Sequence, residues 1–157
     1  MLAAFAVIAA VQSAPALSAH WDVEDRRVVS SVISPCLSYV VSEGNTQPRW
    51  AAGWTLDPGQ NWHVRPRSDN TEYRASMSIS SSFAPTLRCS VTVPSGDLAG
   101  ALAQLEAITL EDFSTRREGN EVRFYYREGP GVAPQFTMGA RTNDNGSVSV
   151  WIATPGM

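Results

Sequence analysis

Strict alternation of apolar and polar side chains, over five separate segments, is the feature that most constrains the fold of this chain. The segments cover residues 73–80, 86–93, 121–127, 136–141 and 147–152. Because successive side chains of a β-strand point to opposite faces, this period of two predicts strands that are buried on one face only. Two less regular segments, which are weaker strand candidates, cover residues 49–56 and 62–67.

Two other segments have helical periodicity. In the first, apolar residues recur at steps of three and four: Val29, Val32, Ile33, Cys36, Leu37 and Val40. In the second, which follows Asp97, the stripe is Leu98, Leu102, Leu105 and Ile108. These stripes predict two amphipathic helices. Asp22 is expected to cap the first helix, Pro35 to kink it or restart it near Ser34, and Gly44 to end it.

The predicted order is helix, three to four strands, helix, three strands. No strand–helix–strand alternation indicates a doubly wound sheet, so we expect an α+β fold with antiparallel sheet and two helices packed on one face. Phe83-Ala84-Pro85 is expected to join the two strands between the helices, and Asn145-Gly146 predicts a tight hairpin near the carboxyl end. The order is also compatible with a loose duplication of one helix-plus-sheet unit, as in some secreted inhibitor folds.

The amino end has the pattern of a secretory signal peptide. The first nineteen residues carry no charged side chain, and residues 2–11 are almost wholly apolar. This run is too short for a membrane span, which needs about 20 residues, but it fits a signal peptide that ends in small residues. We expect residues 1–19 to be removed after Ala19, with Ala16 as a competing site. A buried amino-terminal helix is the alternative. Residues 20–157 would then form a single periplasmic or secreted domain without a membrane span.

The two cysteines are expected to form a disulfide. Cys36 lies on the apolar stripe of the first helix, and Cys89 lies on the core side of a strand. A helix resting on that face brings the two within bonding distance, and an exported protein meets an oxidising compartment. The crosslink would restrict the unfolded chain by about 4 kcal/mol in the loop-entropy model. The alternative is that one of the cysteines is a reactive thiol. The sequence does not favour it, because neither cysteine belongs to a C-x-x-C motif or stands beside a histidine.

The charge balance argues against a nucleic-acid partner. The chain has 12 basic residues, all arginine, against 15 acidic residues, and the formal net charge is −3. The arginines are scattered among the acids, so no cationic stripe is present. The sequence also lacks the motifs of serine hydrolases, zinc proteases, phosphate-binding loops and EF-hands. A non-enzymatic role without a cofactor is therefore favoured.

Tryptophan and arginine residues are concentrated in one segment, which we call the Trp/Arg hairpin: Arg49, Trp50, Trp54, Trp62, Arg65 and Arg67. Flat indoles beside guanidinium groups suit a sugar ring or an aromatic anchor of a protein partner. The sequence thus predicts that this hairpin binds a protein or a cell-envelope glycan. The alternative is that these tryptophans fill the core. Solvent exposure distinguishes the two for Trp50, Trp54, Trp62 and Trp151.

The only two histidines, His20 and His63, provide an alternative function. If the signal peptide is cut before His20, its free amino group and ring nitrogen can chelate copper together with His63. This arrangement resembles the histidine brace of copper-dependent polysaccharide oxygenases, and it implies a metal-assisted oxidase. The resemblance covers two histidines, and an α+β chain departs from the β-sandwich of that family. A hydrolase centred on the same histidines and a structural envelope protein are further alternatives.

Overall fold

A computed structural model describes residues 21–42, 45, 49–60, 62–79, 86–126 and 131–154. Its elements follow the order helix, four strands, helix, four strands. The helices are α1 (Val23–Val41) and α2 (Leu98–Glu106). The strands are β1 (Thr55–Leu56), β2 (His63–Pro66), β3 (Glu72–Ile79), β4 (Leu87–Val93), β5 (Ser114–Glu118), β6 (Glu121–Tyr125), β7 (Phe136–Thr142) and β8 (Val148–Ala153).

Helix α1 begins where the sequence predicts, because Asp22 caps it. The Asp22 carboxylate accepts a hydrogen bond from the Asp25 amide at 2.7 Å, and the Asp25 carboxylate accepts one from the Asp22 amide at 3.3 Å. This reciprocal pair satisfies two amide groups that the first helical turn leaves free.

The helix continues through Pro35, so the expected restart near Ser34 is wrong. Proline removes one backbone hydrogen bond. The buried side chains on both sides of it, among them Val32 and Cys36, belong to the core, and their packing offsets that loss. The helix ends at Val41, and the predicted end at Gly44 lies outside the described residues.

The eight strands form one antiparallel sheet in the order β1-β2-β3-β4-β8-β7-β6-β5. Each half of the chain is a helix followed by four sequential strands, and the two halves meet where β4 pairs with β8. The predicted α+β class with a leading helix is confirmed. The topology also repeats one helix-plus-four-strand unit.

The second half contains four strands rather than the expected three. The additional strand, β5, pairs with β6, and all its residues after Ser114 are exposed, so it has no apolar alternation that a sequence pattern could reveal. Strand β6 ends at Tyr125. Tyr126 continues the sequence alternation of Val122 and Phe124, which predicts the core side for it, but its side chain is half exposed.

Both hairpin predictions agree with the strand pairing. Strands β7 and β8 are joined by the predicted tight turn, in which Gly146 has a φ of 79° and the Asn143 amide donates to the Ser147 carbonyl at 2.8 Å. Glycine adopts this left-handed conformation without steric cost. Strands β3 and β4 are antiparallel neighbours, and residues 80–85 between them lie outside the described residues.

Both helices lie on one face of the sheet, as predicted. Helix α1 packs on β4 and β8, and α2 packs on β6 and β7. The predicted disulfide joins Cys36 to Cys89 with their Cα atoms 6.0 Å apart, and both residues are fully buried. Within the described ranges, neither helix is sufficiently long and apolar to cross a bilayer.

The other face of the sheet, which we call the open face, carries the polar members of the alternating strands. Strand register places Ser76 beside Ser90, and Ser90 beside Trp151. It also places Arg74 beside Thr92, and Thr92 beside Ser149. Neither of the two described helices covers these side chains, so this face provides the surface on which a ligand can bind.

Candidate functional site

The Trp/Arg hairpin is divided between the two faces of the sheet. His63 pairs with the buried Ala75 and therefore lies on the helix side, whereas Trp62, one residue earlier, lies on the open face. All four tryptophans that bear on recognition, Trp50, Trp54, Trp62 and Trp151, are partly exposed. Partial exposure alone does not separate a packing role from a binding role, so the contacts of each ring decide.

Trp50 and Trp54 pack inward. Trp50 stacks on the His63 ring with centroids 4.3 Å apart, and its centroid is 5.9 Å from that of Trp54. Both indoles contact the hydrophobic core, and the Trp54 Nε1 is buried without a hydrogen-bond partner among the described residues. These two tryptophans therefore extend the core, which was the alternative raised by the sequence.

The arginines of the hairpin have different surroundings. Arg49 is exposed. The Arg65 guanidinium lies against Gly53 and donates to the Ala52 carbonyl at 3.3 Å, so it secures the preceding loop. Arg65 lies two residues from His63 on β2 and therefore faces the opposite side of the strand from Trp62.

Arg67 belongs to a buried ionic cluster at the start of α1. Its guanidinium makes ion pairs with Asp22 and Asp25, both at 3.2 Å, and with Asp69 at 3.0 Å. It also donates to the Ser95 hydroxyl at 2.8 Å. The Arg67 side chain is 10% exposed. These contacts engage both terminal nitrogens of the guanidinium and leave little of it for a ligand.

The Asp25 carboxylate forms the buried centre of this cluster. It is fully buried and accepts a hydrogen bond from the Tyr73 hydroxyl at 2.8 Å. Burial raises the pKa of Asp25, although Tyr73 and Arg67 oppose that shift. Burial and the bond to Asp25 also raise the pKa of Tyr73, whereas the backbone hydrogen bond from Asp25 lowers the pKa of Asp22. The cluster ties α1 to the end of β2 and to β3.

A polar cleft of about 480 Å³ lies on the open face, and we take it as the candidate functional site. Its floor is formed by hydroxyl side chains from three neighbouring strands: Ser76 of β3, Ser90 and Thr92 of β4, and Ser149 of β8. Trp62 and Arg74 line one side, and the turn at residues 143–147 lines the other. Alternation places every floor residue on the same face.

Hydrogen bonds orient the groups of the floor. Ser76 and Ser90 share a hydrogen bond of 3.0 Å between their hydroxyls, as do Thr92 and Ser149. The Asn143 amide nitrogen donates to the Ser149 hydroxyl at 2.9 Å. Each hydroxyl has one donor and two acceptor positions, so these contacts leave hydrogen-bonding capacity at the floor of the cleft.

The side of the cleft formed by Trp62 is also fixed by its neighbours. The Trp62 Nε1 donates to the Asp57 carboxylate at 3.1 Å, which sets the orientation of the ring. The Arg74 guanidinium lies 5.1 Å from the centroid of that ring and makes an ion pair with Glu72 at 2.7 Å. The indole of Trp62 and the guanidinium group of Arg74 thus lie next to each other at the edge of the cleft.

The proposed copper site is only partly within the described residues. His20 lies outside them, and His63 lies on the helix side of the sheet, under Trp50. Within the ranges that the structure describes, no three histidine, cysteine, aspartate or glutamate side chains cluster in a way that could hold a metal ion.

Comparisons with family models, with curated proteins and with solved structures found no match to this chain. The site must therefore be interpreted from its own geometry.

Sequence reasoning found Trp62 but missed the cleft around it. The floor residues are the polar members of three alternating strands, and the sequence identifies each of them as a strand-face residue. Their convergence depends on the pairing of β4 with β8, in which Cys89 lies opposite Ile152, 63 residues later in the chain. A repeated helix-plus-strand order is the sequence signal that could have indicated this pairing.

Proposed function

We propose that this protein is an exported, non-enzymatic domain that binds a cell-envelope glycan in the open-face cleft. The observation that carries the proposal is the row of hydroxyls across β3, β4 and β8, bounded by Trp62 on one side. Sugars present hydroxyl groups that both donate and accept hydrogen bonds, and they also present apolar ring faces that lie flat on an indole. The cleft offers partners for both.

The dimensions and chemistry of the cleft favour a glycan over a protein partner. A stable protein interface buries about 1,200–2,000 Å² in total and has a fully desolvated centre rich in aromatic residues. The cleft is small, its floor is hydroxylic, and Trp50 and Trp54 are directed towards the core. Trp62 is therefore the one tryptophan of the Trp/Arg hairpin that lines the site.

Export is part of the same proposal. The buried Cys36–Cys89 disulfide is compatible with an oxidising compartment, and the uncharged apolar leader matches a signal peptide. We expect the mature protein to begin at His20 and to be periplasmic or secreted. Intact-mass measurement of the native protein and fractionation of the source cells check both statements.

The binding proposal is tested by titration calorimetry with soluble oligosaccharides of four to six residues, built from neutral hexoses, N-acetylhexosamines or hexuronic acids. Trp62→Ala removes the stacking surface and should weaken binding of the best oligosaccharide about tenfold. Thr92→Val keeps the shape of the side chain but removes one hydroxyl, and it should weaken binding about fivefold.

Ser78→Ala is the matched control, because Ser78 lies on the same face of β3 as Ser76 but does not line the cleft. Its affinity should equal that of the wild type. If none of the oligosaccharides binds, or if Trp62→Ala and Thr92→Val bind as well as Ser78→Ala does, the proposal is wrong. Capture of a protein partner that survives both cleft substitutions would favour the protein-binding alternative.

A further inference from the structure

A second feature of the open face lies beside the cleft, around Trp151. Sheet register places Trp151 of β8 between Ser90 of β4 and Gly139 of β7. The indole lies across Gly139, and a methyl group at that position would overlap the ring. Trp151 is partly exposed, and it is continuous with the cleft through Ser90. It therefore extends the cleft with a flat aromatic surface.

Two arginines flank this surface. The Arg88 guanidinium lies 4.7 Å from the centroid of the Trp151 ring. Arg141 lies on the same face, opposite Ser149 and two residues along β7 from Gly139. Burial lowers the pKa of Arg88, and the positive charge of Arg141 lowers it further, whereas the negative charge of Glu121 opposes the shift.

Within the described part of the chain, neither guanidinium group makes an ion pair or a side-chain hydrogen bond, and the negative charge of Glu121 acts on Arg88 only from beyond ion-pair distance. Of the carboxylates on the same side, Glu121 pairs with Arg123 at 3.7 Å, and Asp144 lines the cleft. Two like charges that flank the same indole, neither of them in an ion pair, create a local positive potential that attracts an anion.

We infer that an anionic substituent of the bound glycan, a carboxylate or a phosphate, binds between Arg88 and Arg141 at the exposed edge of Trp151. This inference rests on the proposed function, because the adjoining sugar ring occupies the cleft. Planar guanidinium groups match the geometry of carboxylate and phosphate oxygens and bind them by paired, charge-assisted hydrogen bonds. The structure thus assigns the neutral part of the ligand to the hydroxyl floor and its charge to the arginine pair.

The test compares oligosaccharides of equal length by calorimetry: a neutral hexose series, a hexuronic acid series and a phosphorylated hexose series. The wild type should bind one of the charged series about tenfold more tightly than the neutral series, and the preferred series distinguishes a carboxylate from a phosphate. The preference should shrink as salt is raised, because the arginines are partly exposed.

Replacing both arginines, Arg88→Gln with Arg141→Gln, should abolish the preference for the charged series and leave the neutral affinity unchanged. Arg141→Gln alone should reduce the preference, and since Arg141 is exposed this variant is expected to fold normally. Arg116→Gln is the control for net charge: it lies on β5, three strands from β8 and therefore roughly 14 Å away. It should retain the full preference.

Equal affinity of the wild type for neutral and charged series would overturn the inference and leave the glycan proposal standing. A charge preference that persists in the Arg88→Gln/Arg141→Gln variant, or that disappears equally in Arg116→Gln, would also overturn it. If no series binds at all, the proposed function fails and the inference fails with it.

Discussion

Replacement of Arg67 by methionine distinguishes a structural role for this residue from the ligand-binding role that its position in the sequence predicts. Methionine keeps much of the length and apolar volume of the arginine stem but removes the guanidinium. In the variant, the fully buried Asp25 carboxylate keeps its hydrogen bonds from Tyr73 and from the Asp22 amide but loses its positive partner.

Removing one partner of a buried ion pair costs about 3–5 kcal/mol, since the remaining charge stays desolvated. We expect the lower end, about 3 kcal/mol at pH 7, because Asp22 and Asp69 are half exposed and recover hydration in the variant. For a domain of this size the loss corresponds to a decrease in Tm of roughly 10 °C. Urea unfolding, followed by circular dichroism, measures it.

The deficit should depend on pH in a defined direction. Burial raises the pKa of Asp25, and Arg67 opposes this, so removing Arg67 raises that pKa further. A group whose pKa is higher in the folded state favours folding most below its unfolded pKa of 3.8, and this contribution is lost as pH rises through the folded value. The deficit of Arg67→Met should therefore be smallest near pH 4 and largest near pH 7.

Combining Arg67→Met with Asp25→Asn removes the unpaired charge. The double variant should be about 2 kcal/mol more stable than the sum of the two single changes predicts. A deficit below about 1 kcal/mol at pH 7, with no coupling to Asp25 and with loss of glycan binding instead, would refute the structural role and support Arg67 as a ligand residue.

Two further predictions concern packing. The Cys36→Ala/Cys89→Ala variant should be about 4 kcal/mol less stable to urea than the wild type, and a thiol reagent should find no free thiol in the native protein; freely titrating thiols would contradict the disulfide. Gly100→Ala should destabilise α2 by about 1–3 kcal/mol, because the added carbon would lie 2.6 Å from the Trp21 Cβ. Alanine normally stabilises a helix relative to glycine, so increased stability would show that this contact relaxes freely.

Local patterns were sufficient for much of the fold. Asn145-Gly146 predicted its hairpin because the turn needs a positive φ at the glycine. The disulfide between Cys36 and Cys89 was predictable because each cysteine lies on the apolar face of its helix or strand. The restart expected near Pro35 was wrong, since the packing that keeps the helix continuous involves residues of the distant strands β4 and β8.

The candidate site was less predictable for a physical reason. Alternation shows that Trp62 and His63 face opposite sides of a strand, but it does not show which side the helices cover. That choice depends on the register of β2 against β3, in which His63 lies opposite the buried Ala75. Alternation also does not show which distant residues a side chain contacts. Arg67 was therefore predicted as a ligand residue, although its partners Asp22 and Asp25 lie more than forty residues away in the chain.

The two edge strands, β1 and β5, are poor templates for pairing with a further copy of the chain. Strand β1 has only two residues, and β5 ends in three consecutive charged residues, Arg116, Arg117 and Glu118. A short edge strand offers few backbone hydrogen-bonding groups to another strand. Charged side chains on an edge strand make pairing with another strand unfavourable. Because both edges are protected in this way, we expect the sheet to resist pairing with a further copy of the chain.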